Sequence, residues 1–331
     1  MQASVQQDAP APGLPPAPGL APDLPPVPSP GVVVAGEALI DLIQQPDGRL
    51  MPHLGGSPWN LARALGRLGC AVSYLNPLST DDFGAQLAAA LRASQVRCTG
   101  GRSRLPTSLA VVNVDAQGHP DYAFYREGVA DRDLAPHALL AQWPDEAVLF
   151  HVGSLALMPP DGQAWLAALA ALVARGVSTS IDINMRPMVA RDRAAYAEQS
   201  RQILGRGRVV KVSDEDLLAL ELPGDPLVQA RALLNDVTQV VVLTLGAQGA
   251  WGLTRTGERF QAPAQVPVVD TVGAGDCFYA GFLAHLLEQG GLAGREAPAP
   301  DLVAEALAFG NRVTAFNIQR AGCQPPWRHE L

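Results

Sequence analysis

"DTVGAGDCFYAGF", residues 270–282, sets three small residues between two aspartates and follows them with an apolar stretch. The run predicts a helix that begins at the glycines. A helix start carries unpaired N–H groups and a partial positive charge, so it attracts anions. Glycines there let a ligand approach the backbone. Asp276 then stands beside the bound anion, which is the place for a base that takes a proton from a group attacking a phosphate. An ordinary capped helix with glycines before it is the plainer reading, and the rest of the chain decides between the two.

Working outward, short apolar runs alternate with amphipathic ones from Gly31 to the end. "VVVAGEALIDLI" (32–43) reads as a buried strand running into a second extended piece. "SPWNLARALGRLG" (57–69) reads as a helix, with Ser57 as N-cap, Pro58 at the first helical position and Leu61, Ala64, Leu65 and Leu68 on one face. "AVLFHVG", "STSIDIN", "RVVKVS" and "QVVVLTLG" read as strands, separated by helices over 162–176, near 192–204 and from Asp214. Two β-rich runs around Ala116–His119 read as a hairpin that interrupts this alternation and lies outside the main sheet. A last helix is expected over about 302–317. Such alternation implies a mostly parallel sheet covered on both faces, with ligands at the carboxyl ends of its strands.

Composition narrows the partners. The 331 residues carry a net charge of −8, which argues against nucleic acid and anionic membranes as partners. Cys70, Cys98, Cys277 and Cys323 are scattered, with no CxxC and no neighbouring histidine pair, so zinc is not expected and reduced thiols in a cytoplasmic protein are. Cys277 has no histidine partner to make it a nucleophile and reads as a small buried helix residue. No apolar run reaches the roughly 18 residues of a membrane span. Residues 1–30, including "APAPGLPPAPGLAPDLPPVPSPG", are rich in proline and alanine without periodicity. They read as a disordered tail preceding a single domain over 31–331.

Two glycine motifs are excluded. A P-loop needs GxxxxGK before Ser or Thr, and the single lysine, Lys211, lacks that context. A dinucleotide fingerprint needs a third glycine where "GAGDCF" has Phe278. Asp182, Asn184 and Arg186 alternate along "DINMRP", so on an extended chain they point to one side at a strand end.

"DTVGAGD" resembles the C-terminal signature of the PfkB, or ribokinase-like, carbohydrate kinases, and "GGSPWNLARALGRLG" (55–69) resembles their N-terminal signature. "GEALIDLI", "FYREGVAD", "KVSDED" and "TLGAQGAW" agree, so the resemblance runs from about Val32 to the C-terminus. It implies a Rossmann-like three-layer α/β/α domain with a small β-sheet lid from about 41–52 and 104–130. It also implies ATP and Mg²⁺, a sugar partner and a homodimer. On it, Asp276 is the base, and the backbone of Gly273, Ala274 and Gly275 forms the anion hole. Asp41, Gly55, Gly56, Asn60, Tyr125 and Arg186 match sugar-binding positions. Thr244, Gly246, Gly249, Asn311 and Gly322 match nucleotide-binding positions. Asp270 matches the site of a monovalent cation, K⁺. Many relatives have Asn-x-x-Glu where this chain has Ser213 to Asp216, so Asp216 is a shortened candidate for Mg²⁺, reaching it through water; the other reading is a capping cluster.

"GEALIDLI" and "FYREGVADRDL" look most like the fructokinase branch. A 2-keto-3-deoxygluconate kinase, using Arg186 on the acid, is the runner-up, followed by a nucleoside kinase. A catalytically silent sugar-binding regulator is the alternative from another class, and it would not need Asp276.

Deleting residues 1–29 is expected to leave the melting temperature unchanged, because the tail has no apolar period and its prolines lack donors. A loss of several degrees in a thermal melt would mean that it docks on the domain.

Overall fold

Val32 and Val34 pack into one hydrophobic core and Val33 into another. The same split divides Val240 and Val242 from Val241 and Leu243, and Leu149 from Phe150 and Val152. Alternate side chains of a strand point to opposite faces, so a continuous apolar run is buried on both. That is the physical basis of the layered sheet. The structure, a computed structural model, describes residues 31–331 except 46, 115–119, 138–142, 145 and 295. The proline-rich tail and the Ala116–His119 turn lie outside the described residues.

Nine strands form the main sheet in the order Gly257–Gln261, Ala250–Thr254, Val240–Thr244, Val209–Ser213, Ser178–Asp182, Ala147–Gly153, Gly31–Ala35, Ala71–Tyr74 and Val96–Cys98. All pairs are parallel except the two formed by the first three strands of that order. The helices Ser57–Arg67, Ala274–Glu288 and Pro300–Asn317 cover one face, through Trp59, Leu65, Phe282 and Val313. Gly162–Ala174 and Arg193–Leu204 cover the other, through Trp165, Leu169, Tyr196 and Ile203.

A second sheet of four strands, Leu50–Gly55, Leu39–Gln44, Ser108–Val114 and Pro120–Tyr125, stands apart from the first. Its register aligns Asp41 with His53 and with Ala110, which in turn pairs with Phe124. One face of it meets the body, since Leu39, Ala110 and Phe124 share a cluster with Leu155.

Two glycines set how the helix carrying Asp276 is seated. A Cβ on Gly310 would come 2.5 Å from the Phe278 carbonyl, and one on Gly281 would come 2.8 Å from Gly310 Cα. The two backbones therefore touch. Gly310→Ala should cost about 1–3 kcal/mol by overpacking, measured as a lowered unfolding midpoint in urea; an unchanged midpoint would show that the crossing can open without strain.

Candidate active site

The helix Ala274–Glu288 begins behind Gly273, whose φ of 70° lies in the left-handed region. A side chain at Gly273 would overlap Cys323 Sγ. Only glycine serves there, on both backbone and steric grounds. The Ala274 amide donates to the Thr271 carbonyl at 3.1 Å, so it is not an open donor of the expected anion hole. Beyond it the first intrahelical bond runs from Cys277 N to the Gly273 carbonyl at 2.9 Å. The Gly275 and Asp276 amides precede it and belong to the donors that a helix start leaves over.

Asp276 is 8% exposed, and its carboxylate is held on both oxygens. Ser57 Oγ donates to Oδ1 at 2.7 Å and Asn60 Nδ2 to Oδ2 at 2.9 Å. Burial pushes the carboxyl up, while these two bonds and the nearby Lys211 and Arg186 draw it down. Ser57 is therefore not the N-cap expected from its residue type. Gly56, with φ of 112°, occupies the cap position, and the Glu37 carboxylate takes the Ser57 amide at 3.2 Å. The Asn60 side chain is committed to Asp276 through its amide nitrogen, while its buried Oδ1 has no protein partner.

Lys211 is 5% exposed and reaches both oxygens of Asp182, at 3.0 and 2.9 Å. A Cβ on Gly275 would lie 3.6 Å from its Nζ, so the ammonium stands beside the glycine that opens the helix. Burial disfavours that charge, but Asp182, Asp216 and Asp276 outweigh it and leave Lys211 above its usual range. Burial likewise pushes Asp182 up to about 6, against the pull of Lys211. The two short contacts make the pair a buried ion pair.

Asp41 faces the same region. Burial is the main cause pushing it up to about 6; Arg186 lowers it and Asp276 raises it. A Cβ on Gly55 would overlap the Asp41 carboxylate, and one on Gly56 the Glu37 carbonyl. Both glycines thus clear space for their neighbours. Arg186 Nη1 donates to the Asn184 carbonyl at 3.1 Å, to Asn184 Oδ1 at 2.7 Å and to the Met185 carbonyl at 2.9 Å. Asn184 has a φ of 39°, so the chain is not extended there and the expected alternation ends at Asp182.

Three further candidate residues have definite places. Tyr125 is 60% exposed, and strand alternation sets it on the face opposite Phe124, away from Asp41. Tyr122, two residues before Phe124, shares Asp41's face, and its hydroxyl feels both Arg186 and Asp41. Asp216 Oδ1 accepts from Met185 N at 2.6 Å, and Oδ2 from Ser213 N and Oγ at 2.8 Å each. It closes a capping box with Ser213, the capping alternative for this cluster. Asp270 accepts from Val272 N at 2.9 Å and Gly322 N at 2.7 Å, which ties the glycine loop to the chain near Cys323. Among the described residues no group of three or more His, Cys, Asp or Glu could hold a metal.

Thr244 lies in register with Ser213, one strand further along the same edge. Gly246 and Gly249 follow with φ of 53° and 106°. Asn311 spends its amide on the Ala264 N–H at 3.2 Å and the Ala262 carbonyl at 3.1 Å, fixing that loop. Among the described residues no hydrogen bond or ion pair joins these to Asp276, so the expected residues fall into two groups. A cleft of about 920 Å³ lies elsewhere, lined by Phe124, Arg126, Leu155, Met158 and Asp161, and holds none of Asp276's partners. A buried carboxylate, a buried ammonium and a helix start meet instead at Asp276.

The pfkB family carbohydrate kinase model matches residues 29–330. A fructokinase of Rhizobium leguminosarum bv. trifolii is 36% identical over 77% of this chain and 79% of its own length. A Xylella fastidiosa fructokinase with bound ATP superposes with a TM-score of 0.79 at 28% identity, over 89% of this chain and 94% of that one. A Vibrio cholerae fructokinase double mutant, in a fructose-, ADP- and potassium-bound form, gives a TM-score of 0.76 at 25% identity, over 89% and 94%.

Lys211→Met leaves Asp182 buried without its counter-charge and should destabilise the protein by roughly 3–5 kcal/mol. Adding Asp182→Asn should restore more than half of that loss in urea unfolding. Additive losses would mean that the two groups are not coupled.

Proposed function

The chain belongs to the pfkB family of carbohydrate kinases, and from that membership we propose that it transfers the terminal phosphoryl group of ATP to a primary hydroxyl of fructose. The observation that carries the reading is the Asp276 carboxylate, buried at a helix start beside Lys211. A sugar hydroxyl presented to Asp276 gives up its proton to the carboxylate as its oxygen bonds to phosphorus. The bond from phosphorus to the bridging oxygen breaks, and ADP leaves. The Gly275 and Asp276 amides and Lys211 offset the charge on the transferred group.

Asp41, Gly55, Gly56 and Arg186 line the sugar side, and Asn60 Oδ1 offers an acceptor to a hydroxyl. The Thr244–Gly249 turn receives the nucleotide. Tyr125 faces away and is left out of the sugar set. Asp182 and Asp216 are spent on protein groups, so Mg²⁺ fits here as an ion carried by the phosphates, adding positive charge where the described residues form no metal cage. A K⁺ ion, like that in the Vibrio cholerae relative's form, would meet the loop that Asp270 organises. We read the lid as residues 41–52 and 104–130, with a homodimer through its outer face, and the free thiols as those of a cytoplasmic protein.

A 2-keto-3-deoxygluconate substrate is the second reading. Arg186 favours it, while Asp41 opposes a substrate carboxylate.

Asp276→Asn should keep the melting temperature and lower kcat by about 10²–10⁴-fold in a coupled ADP assay. Retention of more than about a tenth of the turnover would sink the base assignment. In the same assay fructose should exceed 2-keto-3-deoxygluconate, ribose and adenosine at least about tenfold in kcat/KM, because unpaired polar groups penalise a poor match. Faster turnover of the keto acid would reverse the choice of sugar.

A further inference from the structure

Ser57 is the least expected partner of the base. Its residue type and position mark an N-cap, and a capping serine turns its oxygen toward its own helix. Here Glu37, twenty residues earlier, takes the Ser57 amide instead, and no side-chain cap forms at Gly56. Gly56 cannot be replaced by a capping residue, since its Cβ would overlap the Glu37 carbonyl. The hydroxyl is thereby released, and it reaches Asp276 Oδ1 at 2.7 Å across 219 residues of chain.

We propose that Ser57 is a positioning residue for the base, its hydroxyl orienting the Asp276 carboxylate and favouring the ionised form that accepts the proton. This rests on Asp276 being the base. A hydroxyl can donate to a carboxylate but gains less from a neutral carboxyl, so the bond favours ionisation. Asn60 makes the matching bond to the other oxygen. The titratable and charged groups facing Asp276 are Lys211 from its strand, Arg186 from its loop, Asp41 from the second sheet and Asp182 from the neighbouring strand, with the Cys277 thiol on its own helix. Among the influences that draw Asp276 down against burial, the Ser57 hydroxyl ranks first, ahead of Asn60 and both cations. Removing it therefore moves the carboxyl upward.

A second carboxyl titrates nearby. Glu37, 2% exposed, is pushed by burial up to about 7 and is faced by Arg126, Asp131, Tyr74 and Tyr196. The test must separate it from Asp276.

The experiment is the pH profile of kcat on the full chain at saturating MgATP and fructose. Ser57→Ala should raise the midpoint of the acidic limb by about one pH unit, losing roughly tenfold in rate below it and little at pH 9. Ser57→Thr, which keeps the hydroxyl, should restore the wild-type midpoint. If Ser57→Ala does not fold, Ser57→Cys carries the test, because a thiol of similar size is a weak donor. The same displacement should persist in a Glu37→Gln background. Its disappearance there would assign the limb to Glu37 and overturn the proposal. Superimposable profiles for Ser57→Ala and wild type would also overturn it. Asp276→Asn is measured alongside. If that variant is inactive while Ser57→Ala is unshifted, only the role of Ser57 falls; if it is active, the base assignment falls with it.

Discussion

A carboxylate buried at a helix start must be matched by donors, or its desolvation destabilises the fold and shifts its proton. Asp276 is matched by Ser57 and Asn60, which come from the other end of the chain. That requirement fixes the helix Ser57–Arg67 against the helix Ala274–Glu288, and the shared core of Trp59, Leu61, Leu65, Tyr279 and Phe282 holds them so. It also fixes the exit of the first strand. Side chains at Gly36 and Gly56 would overlap Pro58 and the Glu37 carbonyl, so strand end and helix start are in backbone contact. Strand exit, first helix and Asp276 are therefore held as one block. In-line phosphoryl transfer needs that rigidity, because small misplacements of the reacting groups cost large factors in rate.

The layered fold was legible because its signal is redundant: each strand repeats the same double-sided burial, and each helix the same apolar stripe. The helix at Ala274 was legible from its glycines and the apolar run behind them, whereas a role for Asp276 was suggested only by the two signature motifs together. The site was harder, because its residues are defined by partners far away in sequence. Ser57 has the composition of a cap, and nothing local reveals that Glu37 does that work. Asn184 was placed by alternation on an extended chain, but its backbone turns left-handed. Tyr125 fell on the wrong face because parity along Pro120–Tyr125 follows pairing with Ser108–Val114, which the motif does not state. Lys211 was discounted with the P-loop. Being the one lysine among many arginines, inside an apolar strand, was a signal that could have marked it.

The charges of the site constrain what can enter it and in what form. Around the helix start stand four carboxylates, Asp41, Asp182, Asp216 and Asp276, against two cations, Lys211 and Arg186. Lys211 is largely used by Asp182, and Arg186 holds its own loop. A bare polyphosphate would meet this excess of negative charge at low effective dielectric, where repulsion is far stronger than in water. Backbone amides alone cannot reverse the sign, because a helix start amounts to about half a unit charge. A phosphate ligand is therefore favoured there when part of its charge is already neutralised. Asp41, held near 6 by burial and by its neighbour Asp276, suits neutral hydroxyls that donate to it and disfavours a second anion. One surplus of negative charge thus favours a neutral ligand beside Asp41 and disfavours an anion that brings no counter-charge, while Asp276, raised by burial, is drawn down first by its hydrogen bonds and then by the two cations.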